Sequence, residues 1–278
     1  MDQMLTDLDQ APRLQSGDVL LQIELDEPRD AVKAIARDQL RETPDVVGPA
    51  VQKLRRLLEM RFLRPCKFYP ESAYKLIKSY YKFKLDHPSE YNGLVPSRQR
   101  NVFNQNVLNV LPRRDQHGRR VLILKLGKNW NHTTCSLDDV FKGCVLLLEA
   151  AILEPETQIC GAVVILDMDG LSWAQMLQFR PAFAKKIVNW LESERPLRHQ
   201  PNCPFMFDGV VFPMFTNHIK GQKFRSRVIN IKSNGLLHQH ISPNCLPSSY
   251  GGTLTIPIAT GAQWLQLLLV CEREFNGT

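Results

Sequence analysis

The run Gly161-Ala162-Val163-Val164-Ile165-Leu166-Asp167 carries no polar side chain before its last residue. It is too short for a helix, is rich in β-branched residues and lacks the alternation of a half-wetted strand, so it reads as a strand buried on both faces. Such a strand constrains the fold more than any other segment, because both of its faces have to be covered. Arg120 to Leu126 reads as a second strand, preceded by the turn Asp115-Gln116-His117-Gly118. Between the two, Asp138 to Glu154 reads as a mostly apolar helix carrying Phe141, Val145 to Leu148 and Ile152, and Phe179 to Leu191 reads as another. Val228 to Lys232 is a last strand, and Pro247 to Gly252 a tight turn. The order is α/β, with crossover helices covering a sheet.

Upstream the pattern is helical. Ala31, Val32, Ala34, Ile35 and Leu40 recur at helix spacing, as do Val51, Leu54, Leu57 and Leu58, with Pro44 separating the two groups. A third helix starts near Pro70-Glu71-Ser72, carries Ala73, Leu76, Ile77, Tyr80, Tyr81 and Phe83, and is closed by His87-Pro88. Residues 1–19 are polar and irregular and are expected to be disordered. At 278 residues, the expectation is a helical domain over 20–90 and a sheet-containing domain over 91–278.

The formal charge of +7 favours an acidic partner, but no nucleic-acid fingerprint accompanies it, and no nucleic-acid partner is expected. The cysteines are odd in number, scattered and never spaced C-x-x-C, which predicts reduced thiols in a cytoplasmic protein. Asp2, Asp7 and Asp9 stand where a signal peptide would be apolar, and no apolar run is long enough to span a bilayer, so membrane contact is expected to be peripheral. Its natural place is Arg195 to Lys232, where basic residues flank the apolar stretch Pro204 to Phe215. Aromatics and methionines beside cations suit contact with acyl chains and anionic headgroups; a core helix with a solvated basic end reads the same way. His199 to Pro204 holds two prolines and cannot be a central strand.

No catalytic constellation stands out. His238 and His240 lack a third ligand nearby, Asp167 and Asp169 have no base or nucleophile and read as caps of the following helix, and Gly127-Lys128 lacks a phosphate-loop pattern. No enzyme activity, metal or cofactor is expected.

Arg61-Phe62-Leu63-Arg64 with Lys67-Phe68, Tyr80-Tyr81-Lys82, Arg114 to Val121, Pro155-Glu156-Thr157-Gln158, Gly161 to Gly170, Ala184-Lys185-Lys186, Leu237 to His240 and Leu246-Pro247 before Tyr250-Gly251-Gly252 occur in a specific order. In that order they resemble the CRAL-TRIO family of lipid-binding proteins, most closely its tocopherol-transfer and retinaldehyde-binding branch. The resemblance implies an N-terminal helical bundle and a mixed β-sheet flanked by helices, enclosing an apolar cavity beneath a helical gate on Pro204 to Phe215. It implies a wall of Leu124, Phe141, Cys144, Val145, Leu148, Leu166, Ile187 and Leu191, with Phe207, Val211, Phe212 and Phe215 from the gate. It also implies phosphoinositide contact by Arg61, Arg198, Lys223 and Arg227, and a small hydrophobic ligand of tocopherol, retinoid or carotenoid kind. The other reading of each wall residue is ordinary core packing.

The sequence departs from the family pattern in several places. The interval 199–204 is shorter than in the family, which predicts the loss of one central strand. Arg195 stands where related chains place a pocket Phe, and Cys144 and Leu148 replace small hydroxyl residues. Two further readings therefore stand beside the carrier: a phosphoinositide-sensing adaptor without cargo, and a divergent variant with impaired ligand binding.

Overall fold

The computed structural model describes residues 14–21, 26–55, 60–192, 205–208, 217, 219, 225–226, 228–231, 233–270 and 272. An antiparallel hairpin comes first, β1 (Leu14–Ser16) and β2 (Val19–Leu21), with Leu14 opposite Leu21 and Ser16 opposite Val19. This corrects the expectation of disorder through residue 19. The cause is local: Gly17 adopts φ +62°, which a tight hairpin turn requires and only glycine takes without strain.

Three helices follow, α1 (Asp30–Leu40), α2 (Pro44–Arg55) and α3 (Pro70–Asp86). Pro44 marks the division read from the sequence and begins the second helix, a position where its missing N–H costs nothing. On α3, Ala73, Leu76, Ile77 and Tyr80 fall at i, i+3, i+4 and i+7 and are buried against Phe62, Leu63 and Phe68.

The main sheet has five strands in the order β3 (Leu108–Val110), β4 (Arg120–Lys125), β5 (Ala162–Asp167), β6 (Phe205–Asp208) and β7 (Val228–Ile231). β3 runs antiparallel to β4, and the other neighbours are parallel. Helices α4 (Leu137–Leu153) and α5 (Pro155–Cys160) link β4 to β5, α6 (Pro181–Glu192) follows β5, and α7 (Gly261–Val270) comes near the C-terminus. Helices α4, α6 and α7 pack in one cluster on one face of the sheet. Strand alternation follows this division: Leu122, Leu124, Ala162 and Val164 join the cluster of α4, α6 and α7. Val121, Ile123, Val163 and Ile165 face the opposite cluster, with Leu237, Ile241, Leu246 and Tyr250. The doubly apolar strand read from the sequence is thus covered on both sides.

The expected loss of a central strand is overturned. Phe205 to Asp208, read as the start of the gate, forms β6, with Phe205 opposite Val164 of β5 and Phe207 opposite Asn230 of β7. Without it, the facing N–H and C=O groups of β5 and β7 would be left unpaired in the interior, and this four-residue strand satisfies both edges. Phe207 is therefore a sheet residue rather than a gate residue.

The N-terminal helices are fastened to the sheet region by apolar and polar contacts. Val32, Ala36 and Leu40 of α1 share a cluster with Ile159 and Cys160 of α5. Arg29 pairs with Glu156 at 2.8 Å, and Arg64 bonds both Gln158 at 2.6 Å and Glu42. Tyr80 donates its hydroxyl at 2.6 Å to Glu149, a carboxylate buried in the apolar C-terminal half of α4. Removing that hydroxyl takes one donor from a buried charge, so Tyr80→Phe is expected to lower stability by about 1.5–3 kcal/mol. Urea unfolding with an unchanged m-value checks this.

Candidate functional site

Helix α4 forms the middle of the candidate wall. Ser136 accepts from the Asp139 amide and Asp139 accepts from the Ser136 amide, a reciprocal cap that fixes the helix start at Leu137. Beyond that turn the helix is apolar nearly all round, because it lies between the sheet, α6 and the N-terminal helices. Phe141, Cys144, Val145 and Leu148 are buried in one cluster with Leu124, and Leu166 and Ile187 pack against it. Seven of the expected wall residues thus fall in one buried apolar cluster. Phe141 lies edge-on to Trp190, with centroids 5.2 Å apart, and Trp190 donates its indole N–H to the Tyr91 hydroxyl at 2.8 Å. Lys186 closes this end, bonding Glu90 at 3.3 Å and Asp138, with its ammonium 5.3 Å from the Phe141 ring.

The remaining expected residues are only partly placed. Leu191 belongs to α6 and Phe207 to β6, but the side chains of both lie outside the described residues, as do Val211, Phe212, Phe215, Arg198, Lys223 and Arg227 in full. Arg61 is half-buried, its guanidinium 5.1 Å from the Phe62 ring centroid and 5.9 Å from that of Tyr80. It stands beside the Tyr80–Glu149 contact.

A small cavity lies elsewhere on the same face of the sheet, about 30 Å³ open to a water-sized sphere and lined by Val110, Arg120, Leu122, Leu147, Ala150, Ala151, Glu154, Trp264, Leu267 and Leu268. It holds a water or two rather than a lipid, and none of the expected wall residues lines it. The Trp264 indole N–H is buried there without a hydrogen-bond partner among the described residues.

Beside this cavity is a charged cluster that sequence reading missed. Glu154 accepts from Arg120 at 2.7 and 3.1 Å, from Arg114 at 2.9 Å and from the Thr157 hydroxyl at 2.6 Å. Arg114 also reaches Thr157 Oγ1 at 3.0 Å and the Gly118 carbonyl at 3.2 Å. Burial pushes the Glu154 carboxyl up, but the Arg120 and Arg114 charges and the hydrogen bonds from Arg120 and Thr157 outweigh it and hold the group below the ordinary carboxylate range. The matching segments around Arg114 and Pro155 to Gln158 thus have a structural task, joining β4, α4 and α5.

Other candidate chemistries resolve into local structure. Asp167 accepts from the Tyr250 hydroxyl at 2.6 Å and from the Asp169 amide at 3.0 Å. The next helix is capped by Ser172 with Gln175, not by either aspartate, because Ser172 is the residue directly before its first turn. A ring nitrogen of His238 lies 2.9 Å from the Tyr250 carbonyl. Among the described residues no group of three metal-ligating side chains occurs, and no helix is long and apolar enough to cross a membrane. Burial pushes the Cys135 and Cys160 thiols up to about 11, so both stay protonated at neutral pH.

Several known proteins are similar to this chain. The α-tocopherol transfer protein-like protein of Mus musculus is 29% identical over 259 residues, 86% of this chain and 74% of that protein. Clavesin-1 of Rattus norvegicus is 30% identical over 258 residues, 84% of this chain and 71% of its own length. The crystal structure of Sfh5 overlays with a TM-score of 0.47 at 12% identity, over 83% of this chain and 90% of that one. The family model described as CRAL/TRIO domain matches residues 104–252. That interval is more than half of the chain and takes in β3 to β7 together with α4 and α6, so the wall just described lies within it, and the chain belongs to the CRAL/TRIO family of lipid-binding and transfer proteins.

Proposed function

We propose that the protein carries a small hydrophobic ligand of tocopherol, retinoid or carotenoid kind between α4, α6 and the sheet. In this reading residues 20–90 form a helical cover and 91–278 enclose the ligand. The protein works without enzymatic chemistry in the cytoplasm, docking on phosphoinositide membranes through Arg61, Arg198, Lys223 and Arg227. The observation that carries the reading is the convergence of Leu124, Phe141, Cys144, Val145, Leu148, Leu166 and Ile187 from two strands and two helices into one buried apolar cluster. The family resemblance assigns the rest of the pocket to Phe207, Val211, Phe212, Phe215 and Leu191, whose side chains lie outside the described residues.

Enclosing a ligand with roughly 400 Å² of apolar surface gains about 10 kcal/mol gross, so delivery needs a state of lower affinity. Headgroup binding supplies that state if it favours the open form. Charge reversal by Lys223→Glu with Arg227→Glu is expected to slow transfer to anionic vesicles at least about tenfold, since each cation near an anionic surface contributes about 1 kcal/mol. Unchanged transfer rejects this docking mode.

One observation favours the adaptor reading: Leu124, Phe141, Cys144, Val145 and Leu148 are buried together in one core cluster. Native mass spectrometry of the purified protein separates the two readings. A stoichiometric apolar ligand supports the carrier, and an empty, stable protein supports the adaptor.

A further inference from the structure

Helix α7 carries Trp264, Leu267 and Leu268 at i, i+3 and i+4, and all three line the small cavity described above. The first turn of the helix is fixed directly. Thr260 and Gln263 cap each other reciprocally, the Gly261 amide donates to Asn106 Oδ1 at 2.8 Å, and a Cβ on Gly261 would lie 2.1 Å from the Phe103 carbonyl oxygen. The Trp264 indole, one turn on, is held differently. The residue is 7% exposed, and its N–H has no acceptor among the described residues, whereas the buried indoles of Trp130 and Trp190 donate to the Cys135 carbonyl and the Tyr91 hydroxyl. A buried N–H left orphaned is costly, because it gives up its bond to water and gains none in return.

Glu154 lines the same cavity. Its Oε2 accepts three bonds, from Arg114, Arg120 and Thr157, while Oε1 accepts one, from Arg120 at 2.7 Å, which leaves Oε1 room for a second donor. We propose that the cavity is a hydration site in which one ordered water accepts from Trp264 Nε1–H and donates to Glu154 Oε1. The water then bridges α7 to the charge cluster that joins β4, α4 and α5, and gives the middle of α7 the polar tie that Asn106 gives its first turn.

Three properties of the site select this occupant. About 30 Å³ is open to a water-sized sphere, and one water needs about 10–15 Å³ by that measure, so a molecule of several heavy atoms does not fit. The site offers a donor and an acceptor together, so its occupant has to accept and donate at once, and these two groups meet the minimum that holds a buried water. The Glu154 charge is already matched by Arg114 and Arg120, so an ion would bring uncompensated charge into the interior. Val110, Leu122 and Leu147 make the neighbouring wall apolar, which leaves the water oriented along the bridge.

A crystal structure of the full chain, at a resolution that shows ordered water, should place a water within about 3.2 Å of both Trp264 Nε1 and Glu154 Oε1. A dry cavity, or a water bonded to the indole alone, overturns the bridge. In solution, nuclear magnetic resonance of the nitrogen-15-labelled chain should give the Trp264 indole proton a cross-relaxation peak with water, of the sign that a long-lived water produces. The Trp130 indole, bonded to the Cys135 carbonyl, should give none. Trp264→Phe identifies the peak by its loss, and absence of the peak from the native protein overturns the bridge. Ala151→Val fills the cavity from α4 and should abolish the peak while lowering the melting temperature, since expelling the water strands the indole N–H. A rise in melting temperature is the result for a dry cavity and overturns the bridge.

Discussion

Glutamine in place of Glu154 is expected to lower the unfolding free energy by about 3–5 kcal/mol. The carboxylate is fully enclosed, and it accepts from two guanidinium groups and a hydroxyl. The neutral amide leaves the buried charge of Arg120 without its counter-charge and presents an N–H₂ where the site supplies only donors. The cost is therefore mainly that of removing a shared counter-charge from two buried guanidinium groups rather than the worth of one bond. Urea unfolding at pH 7 measures it. The acid limb tests the cause separately: because the Glu154 carboxyl is depressed in the folded state, its contribution is complete above the ordinary value of 4.5 and fades as pH falls toward the folded one. Native stability should drop on acidification through that range, and Glu154→Gln should drop less steeply.

Alanine at Gly127 is expected to cost at least about 3 kcal/mol or to force the loop after β5 to move. A Cβ there would lie 1.8 Å from the Asp169 carbonyl oxygen and 2.4 Å from its carbon. Both are backbone atoms, with no flexible side chain to swing aside. The same glycine's carbonyl accepts from Gln175, so the substitution also loosens the helix turn that Gln175 anchors. Thermal unfolding of the variant measures the loss.

Much of the sheet was legible because its strands are short, apolar and bounded by turns. β4, β5 and β7 fall where the sequence predicted them, and Asp115 organises the turn before β4 by accepting from the amides of His117 and Arg119. β6 was not legible for a physical reason: Phe205 to Phe215 is apolar nearly throughout, and such a run has no period by which four strand residues can be told apart from their C-terminal neighbours. The hairpin at Gly17-Asp18 did carry a signal, a glycine-led two-residue loop. In the site, the candidate wall residues could be named only because the family resemblance implied them, since α4 is apolar nearly all round and has no face that stands out. The charge cluster could not, since Glu154 lies 40 residues beyond Arg114 and 34 beyond Arg120, and only the fold brings it within bonding distance of both.

Spatial order in the main sheet repeats chain order, β3 through β7. Each new strand therefore docks on the free edge of the one made before it, and none has to be threaded between two neighbours already in place. A chain leaving the ribosome can zip the sheet up as it emerges, and a product that stops early ends in a narrower sheet rather than one with a hole in its middle.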